Sequence, residues 1–130
     1  STEITTQIET TKPTESSTKP NDTAPWKVAY SKYIESLADE KYVSGFSLVY
    51  IDSDDIPELF VSGGCEATGS RICSYKNSKL ITVELSRLGG ASYIPKSGLV
   101  HNCNGNSGYY STYIYRLTGG GFNEIFYALQ

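Results

Sequence analysis

Apolar residues follow two different periods along the chain. From Pro25 to about Glu40, Trp26, Tyr30, Tyr33, Ile34 and Leu37 recur at spacings of three and four, the repeat of one helical face. Lys27, Lys32, Glu35 and Asp39 fall mostly on the other side. Pro25 suits a first helical turn, and Thr23 stands where a cap would. The stripe predicts a helix whose Trp26 and Ile34 face a sheet, with Trp26 deeply buried. Gly45 then lets the chain turn.

Beyond Gly45 the period becomes two, that of a half-buried strand. Phe46–Ile51 and Leu59–Ser62 are strand-like and separated by an acidic turn. Arg71–Tyr75 and Leu80–Leu85 flank Lys76-Asn77-Ser78-Lys79, a hairpin loop. Ser92–Ile94 and Leu99–His101 are shorter. Tyr109–Leu117 and Phe122–Leu129 flank Thr118-Gly119-Gly120-Gly121, the clearest hairpin. Of the two faces of Tyr109–Leu117, the one carrying Tyr109, Ser111, Tyr113, Tyr115 and Leu117 is the more apolar and is expected to be buried. The pattern predicts an α+β domain over residues 25–130, with one N-terminal amphipathic helix packed on a mainly antiparallel meander sheet.

Residues 1–24 have a different composition. Thr and Ser supply 11 of the 24 positions, and Ile4 and Ile8 are the only sizeable apolar side chains. So little burial cannot offset the entropy of ordering the segment, which reads as a flexible linker or stalk. Asn21-Asp22-Thr23 fits a glycosylation sequon. Ser1 without a Met is expected of a processed or excised chain. The apolar strand just before Gln130 suggests that the natural chain continues.

The net charge is −3 over 130 residues. Two lysines against four acids place −2 of it in residues 1–24, leaving −1 for the domain. A domain this close to neutral lacks the basic footprint of a nucleic-acid binder, and no apolar run is long enough to span a membrane.

Three stretches carry a resemblance: Phe46–Val61 with its Asp-Asp-Ile-Pro-Glu-Leu run, Tyr93–Val100 (YIPKSGLV), and Tyr113–Leu117 followed by Gly119-Gly120-Gly121-Phe122. In this order, after a helix, residues 25–127 resemble a domain of surface lipoproteins and secreted proteins of gut Clostridia, to which no activity is attached. The resemblance implies an extracellular, surface-attached address. Such proteins carry a lipid-bearing Cys near the mature N-terminus. Ser1–Ala24 contains none, so a lipid anchor is expected upstream.

The acidic turn Asp52–Glu58 offers the most suggestive chemistry. Asp52, Asp54 and Glu58 match part of a calcium loop of the form Asp-x-Asp-x-Asp-Gly-x-x-Glu. Tyr50 stands where its first Asp belongs and Asp55 where its Gly belongs, so a weak calcium site competes with a polar turn in which the carboxylates bond to backbone N–H groups.

Three cysteines leave at least one thiol over. Cys65 and Cys103 lie in Gly/Asn-rich stretches read as loops, while Cys73 is strand-like, so Cys65–Cys103 is the preferred disulfide. A zinc site from Cys65, Cys73, His101 and Cys103 lacks the close Cys-x₂₋₄-Cys knuckle. His101 and Cys103 share a strand face but show no third, orienting group, so His101 reads as a solvated loop-edge residue. A glycosidase pair would draw its carboxylates from Asp52–Glu66. Tyr93, Tyr109 and Tyr110, near Asn102, Asn104 and Asn106, suit recognition of a sugar or peptide.

The expected function is a non-catalytic extracellular binding domain, its partner a polysaccharide or a surface protein. The competing expectation is a secreted hydrolase working through the Asp52–Glu58 carboxylates.

Overall fold

The computed structural model describes residues 24–64, 68–85 and 90–130. The expected linker and Thr23 lie outside them, apart from Ala24, which occupies the N-cap without a side-chain cap bond. Helix α1 spans Pro25–Ser36, one turn shorter than the pattern predicts. Its end tightens: the Leu37 N–H bonds to the Ile34 carbonyl and the Ala38 N–H to Glu35. The Ser36 hydroxyl also donates to the Tyr33 carbonyl at 2.6 Å. Such local bonds compete with further helix.

Among the described residues eight strands follow, and all eight are legible in the sequence. They are β1 (Val43–Val49), β2 (Glu58–Gly63), β3 (Ser70–Lys76), β4 (Lys79–Leu85), β5 (Ala91–Ile94), β6 (Leu99–Asn106), β7 (Tyr109–Thr118) and β8 (Gly121–Leu129). The expected single meander is not what they build. They form two four-stranded antiparallel sheets, β1-β2-β3-β4 and β5-β6-β7-β8, each a meander of its own. Both hairpin predictions hold with tighter turns. Lys76 pairs with Lys79 across Asn77-Ser78, and Thr118 pairs with Gly121 across Gly119-Gly120.

Asn77 and Ser78 have φ of 51° and 62°, the positive values that a two-residue hairpin turn matching strand twist requires. Ser78 carries a side chain in a region that costs an L-residue about 1–2 kcal/mol, partly offset by the greater unfolded freedom of glycine. Ser78→Gly should therefore raise stability by about 0.5 kcal/mol, seen as a melting temperature higher by about 2–4 °C. A lower value would mean that the hydroxyl, not the backbone, governs this turn.

Alternation along the first sheet makes two cores. Leu59, Val61 and Cys73 point to α1 and cluster with Tyr30 and Leu37. Ile72 and Leu85 point the other way and cluster with Ile51, Val100 and Leu117, edged by Phe60, Val83, Tyr115 and Phe122. The layers are thus helix, sheet, sheet. Trp26 and Ile34 do pack on the helix-side cluster, but only partly buried. The deeply buried anchors are Tyr30 of α1 and Leu37 at its C-cap, at 3% and 6% exposure. On β7, Ser111 and Leu117 are buried and Tyr113 and Tyr115 half-buried as expected, whereas Tyr109 is 70% exposed.

Candidate functional site

The turn between β1 and β2 carries the three carboxylates. Their ligand oxygens lie within 4.8 Å of one another, so the sequence places Asp52, Asp54 and Glu58 together correctly. It misses what compensates them. Strand β3 alternates so that Ile72, Ser74 and Lys76 share the face toward the second sheet, and the Lys76 ammonium meets Asp52 Oδ2 and Asp54 Oδ2.

Every carboxylate oxygen in the cluster has a donor. Asp52 Oδ1 accepts from the Asp54 N–H at 3.2 Å and Asp54 Oδ1 from the Ile56 N–H at 2.9 Å. Glu58, with no exposed surface, accepts from the Ile51 N–H at 2.9 Å and the Ser74 hydroxyl at 3.0 Å. The backbone-bonded turn expected from Asp chemistry is present, and a lysine occupies the electrostatic role a cation would take.

The electrostatics follow from these contacts. Burial pushes Asp54 up, but the Lys76 hydrogen bond, then the Ile56 N–H, outweigh it and leave the carboxyl below its ordinary value. Burial also opposes the charge on Lys76, yet Asp52 and Asp54 hold the ammonium above its usual range. Glu58 sits above the ordinary glutamate value, first because it is buried, with the Ile51 N–H and Ser74 pulling the other way. Nearby, burial and then the Glu58 charge raise the Tyr30 phenol.

The same turn ties the three layers together. Its Ile51 carbonyl accepts from the Gly98 N–H at 2.7 Å, its Tyr50 carbonyl from the Lys96 N–H at 3.0 Å, and the Gly98 carbonyl accepts from the Leu117 N–H at 2.8 Å. The Tyr30 hydroxyl of α1 donates to the Pro57 carbonyl at 2.7 Å. Lys96 lies 4.8 Å over the Tyr50 ring. The three sequence stretches singled out above therefore meet at one place, where a buried junction needs specific residues. Their specificity is that of a clasp between sheets.

The other predicted sites divide. Tyr93, Tyr109 and Tyr110 are all exposed, at 39%, 70% and 59%, but they do not converge. Tyr93 pairs through Val100 with Tyr115, six residues or about 20 Å along β7 from Tyr109. Tyr110 faces the opposite side, its ring where a Cβ on Gly105 would stand. Cys65 lies outside the described residues, while Cys73 and Cys103 are free thiols. Among the described residues, the zinc set weighed from the sequence does not come together: Cys73 is in the helix-side core, and Cys103 is on the outer face of the second sheet. Burial pushes the Cys73 thiol up to about 11, which keeps it protonated and inert near neutrality.

Cys103 and His101 lie within β6, which runs to Asn106 rather than ending at His101. Pairing with β5 on one side and β7 on the other overrides the loop-like Asn/Gly composition. His101 Nε2 lies 3.4 Å from Cys103 Sγ, and His101 Nδ1 lies 3.3 Å from the Ser92 hydroxyl. The orienting group missing from the sequence reading is thus Ser92, the direct cross-strand partner of His101.

No family of known proteins, no curated protein and no solved structure matches the chain.

Proposed function

We propose that this is a non-catalytic binding domain of a surface-anchored bacterial protein, and that its partner is another protein engaged along β8. One observation carries the choice of partner. On this nine-residue edge strand, Ile125, Phe126, Tyr127 and Leu129 are 49%, 49%, 49% and 63% exposed. An edge strand presents unpaired backbone donors and acceptors, and apolar side chains on both its faces give an added strand something to cover. Tyr127 also leans on Tyr113 with ring centroids 5.0 Å apart, a partly preformed surface. Tyrosines split between two faces support a polysaccharide platform less well. The hydrolase alternative is weaker still, because Glu58 has no exposed surface and Lys76 holds both aspartates. The Ser/Thr/Pro-rich first 24 residues and the resemblance support the extracellular address.

The test sets the domain against extended peptides, glycans, peptidoglycan fragments and a panel of hydrolase substrates. We expect peptide binding that Phe126→Glu and Tyr127→Glu each abolish, since the two residues lie on opposite faces of β8. Glycan binding indifferent to both variants would replace the protein partner by a polysaccharide. Turnover abolished by Asp54→Asn would replace binding by hydrolysis.

A further inference from the structure

The outer face of the second sheet carries a row of polar groups that the binding role does not use. It runs across three strands: Ser92 on β5, His101 and Cys103 on β6, and Thr112 on β7. Ser92 is paired with His101, and Cys103 with Thr112. Val100, only 1% exposed, turns toward the first sheet, so His101 and Cys103 turn away from it, and both are half-buried. From Ser92 the contacts are Oγ to His101 Nδ1 at 3.3 Å, His101 Nε2 to Cys103 Sγ at 3.4 Å, and Sγ to Thr112 Oγ1 at 3.8 Å. From Ser92 onward this is a group that orients the base, a base and a nucleophile, in that order.

We propose that Cys103 is a reactive thiol, activated by His101, that forms mixed disulfides with small disulfide compounds. The Ser92 hydroxyl accepts a hydrogen bond from Nδ1–H and fixes the tautomer, leaving Nε2 free to take the proton from the thiol. The thiolate, the attacking species in exchange, then gains a hydrogen bond from the Thr112 hydroxyl. It attacks one sulfur of R–S–S–R. The new S–S bond joins Cys103 to R–S, the old one breaks, and the departing R–S⁻ takes the proton from the His101 imidazolium and leaves as R–SH. Cys103 is oxidised and the disulfide reduced, with nothing else consumed. Among the described residues, the other titratable or charged side chains on this face are Arg116 and Tyr110 of β7; β5 and β8 contribute none. The proposal does not rest on the binding role, because its residues belong to β5, β6 and β7 and none belongs to β8.

The experiment treats the native chain with the chromogenic disulfide dithiobis(nitrobenzoate) from about pH 5 to pH 9 and locates the label by peptide mass spectrometry. Near pH 6, Cys103 should react about tenfold faster in the folded protein than in concentrated urea. His101→Gln should remove that advantage, while Ser92→Ala should reduce it. Both substitutions lie on the outer face, and unchanged circular dichroism would show that the fold survives. Equal rates and pH profiles in the wild type and His101→Gln would overturn the proposal. So would finding Cys103 already bonded to Cys65 in the native protein.

Discussion

Replacing Lys76 by Met should cost about 2–3 kcal/mol and lower the melting temperature by roughly 10–15 °C. The substitution keeps most of the side-chain volume and removes the ammonium from between Asp52 and Asp54. Breaking a fully buried pair costs about 3–5 kcal/mol. Here the Asp54 side chain is 38% exposed against 11% for Lys76 and 18% for Asp52, so water screens part of the loss. The damage should spread beyond one loop, because this turn bonds to α1 and to the second sheet. Adding Asp54→Asn should recover part of the loss by removing one of the orphaned charges. The variant also tests the calcium expectation directly. In the wild type all six carboxylate oxygens have donors, so chelator and millimolar calcium should give the same melt. In Lys76→Met the three carboxylates lack their cation, and calcium should raise the melting temperature. An equal rise in the wild type would show that Lys76 is not what holds the turn.

The pH dependence has a definite sign. Asp54 is depressed in the folded state, so its contribution is present above its unfolded value of about 4 and is lost as pH falls through the lower folded value. Lys76 is raised, so its contribution is full below about 10.4 and is lost as pH rises through its folded value. Glu58 acts against both, since a raised carboxyl makes the folded state less stable as pH climbs from about 4.3 through its folded value. The stability gap between wild type and Asp54→Asn should be widest near neutrality and shrink in melts below about pH 4.

What the sequence shows about this molecule depends on range. All eight strands are legible because alternation is local, and so are the hairpins at Asn77-Ser78 and Gly119-Gly120. The split into two sheets is not, because β4 and β5 alternate in the same way whether or not they pair. At the acidic turn the three carboxylates are legible from spacing, whereas Lys76 is hidden by being read as part of a four-residue loop. The hairpin turn has only two residues, which places Lys76 in the strand and, by parity with Ile72 and Ser74, on the carboxylate side. Ser92 is hidden for a different reason. Its pairing with His101 depends on the register of β5 against β6, and Pro95-Lys96-Ser97-Gly98 does not specify that register by composition alone. Cys103 is misplaced in a loop because Asn and Gly argue against a strand locally, while two neighbouring strands enforce one.

Tyr30→Ala should be the most damaging single change in the helix, at about 3–5 kcal/mol, and Trp26→Ala should cost only about 1–2 kcal/mol. Sequence periodicity favours Trp26, the largest apolar residue of the stripe. The structure puts Trp26 at the rim, its ring meeting Tyr30 edge-on at 5.5 Å and 65°. Tyr30 is 3% exposed, packs with Leu37, Leu59, Val61 and Cys73, and sends its hydroxyl to the Pro57 carbonyl. Its removal opens a cavity between helix and sheet and also leaves a buried carbonyl without its donor. Tyr30→Phe separates these effects. It keeps nearly all the packing and deletes the bond, so it should cost about 1–3 kcal/mol, the penalty of an unsatisfied buried acceptor. Urea unfolding of the three variants checks the order. A Trp26→Ala loss as large as that of Tyr30→Ala would place the tryptophan at the centre of the interface and rotate the helix away from the contacts described. A Tyr30→Phe loss near zero would mean that the phenol packs without anchoring the turn, and the clasp would then rest on Lys76, Glu58 and the Gly98 backbone alone.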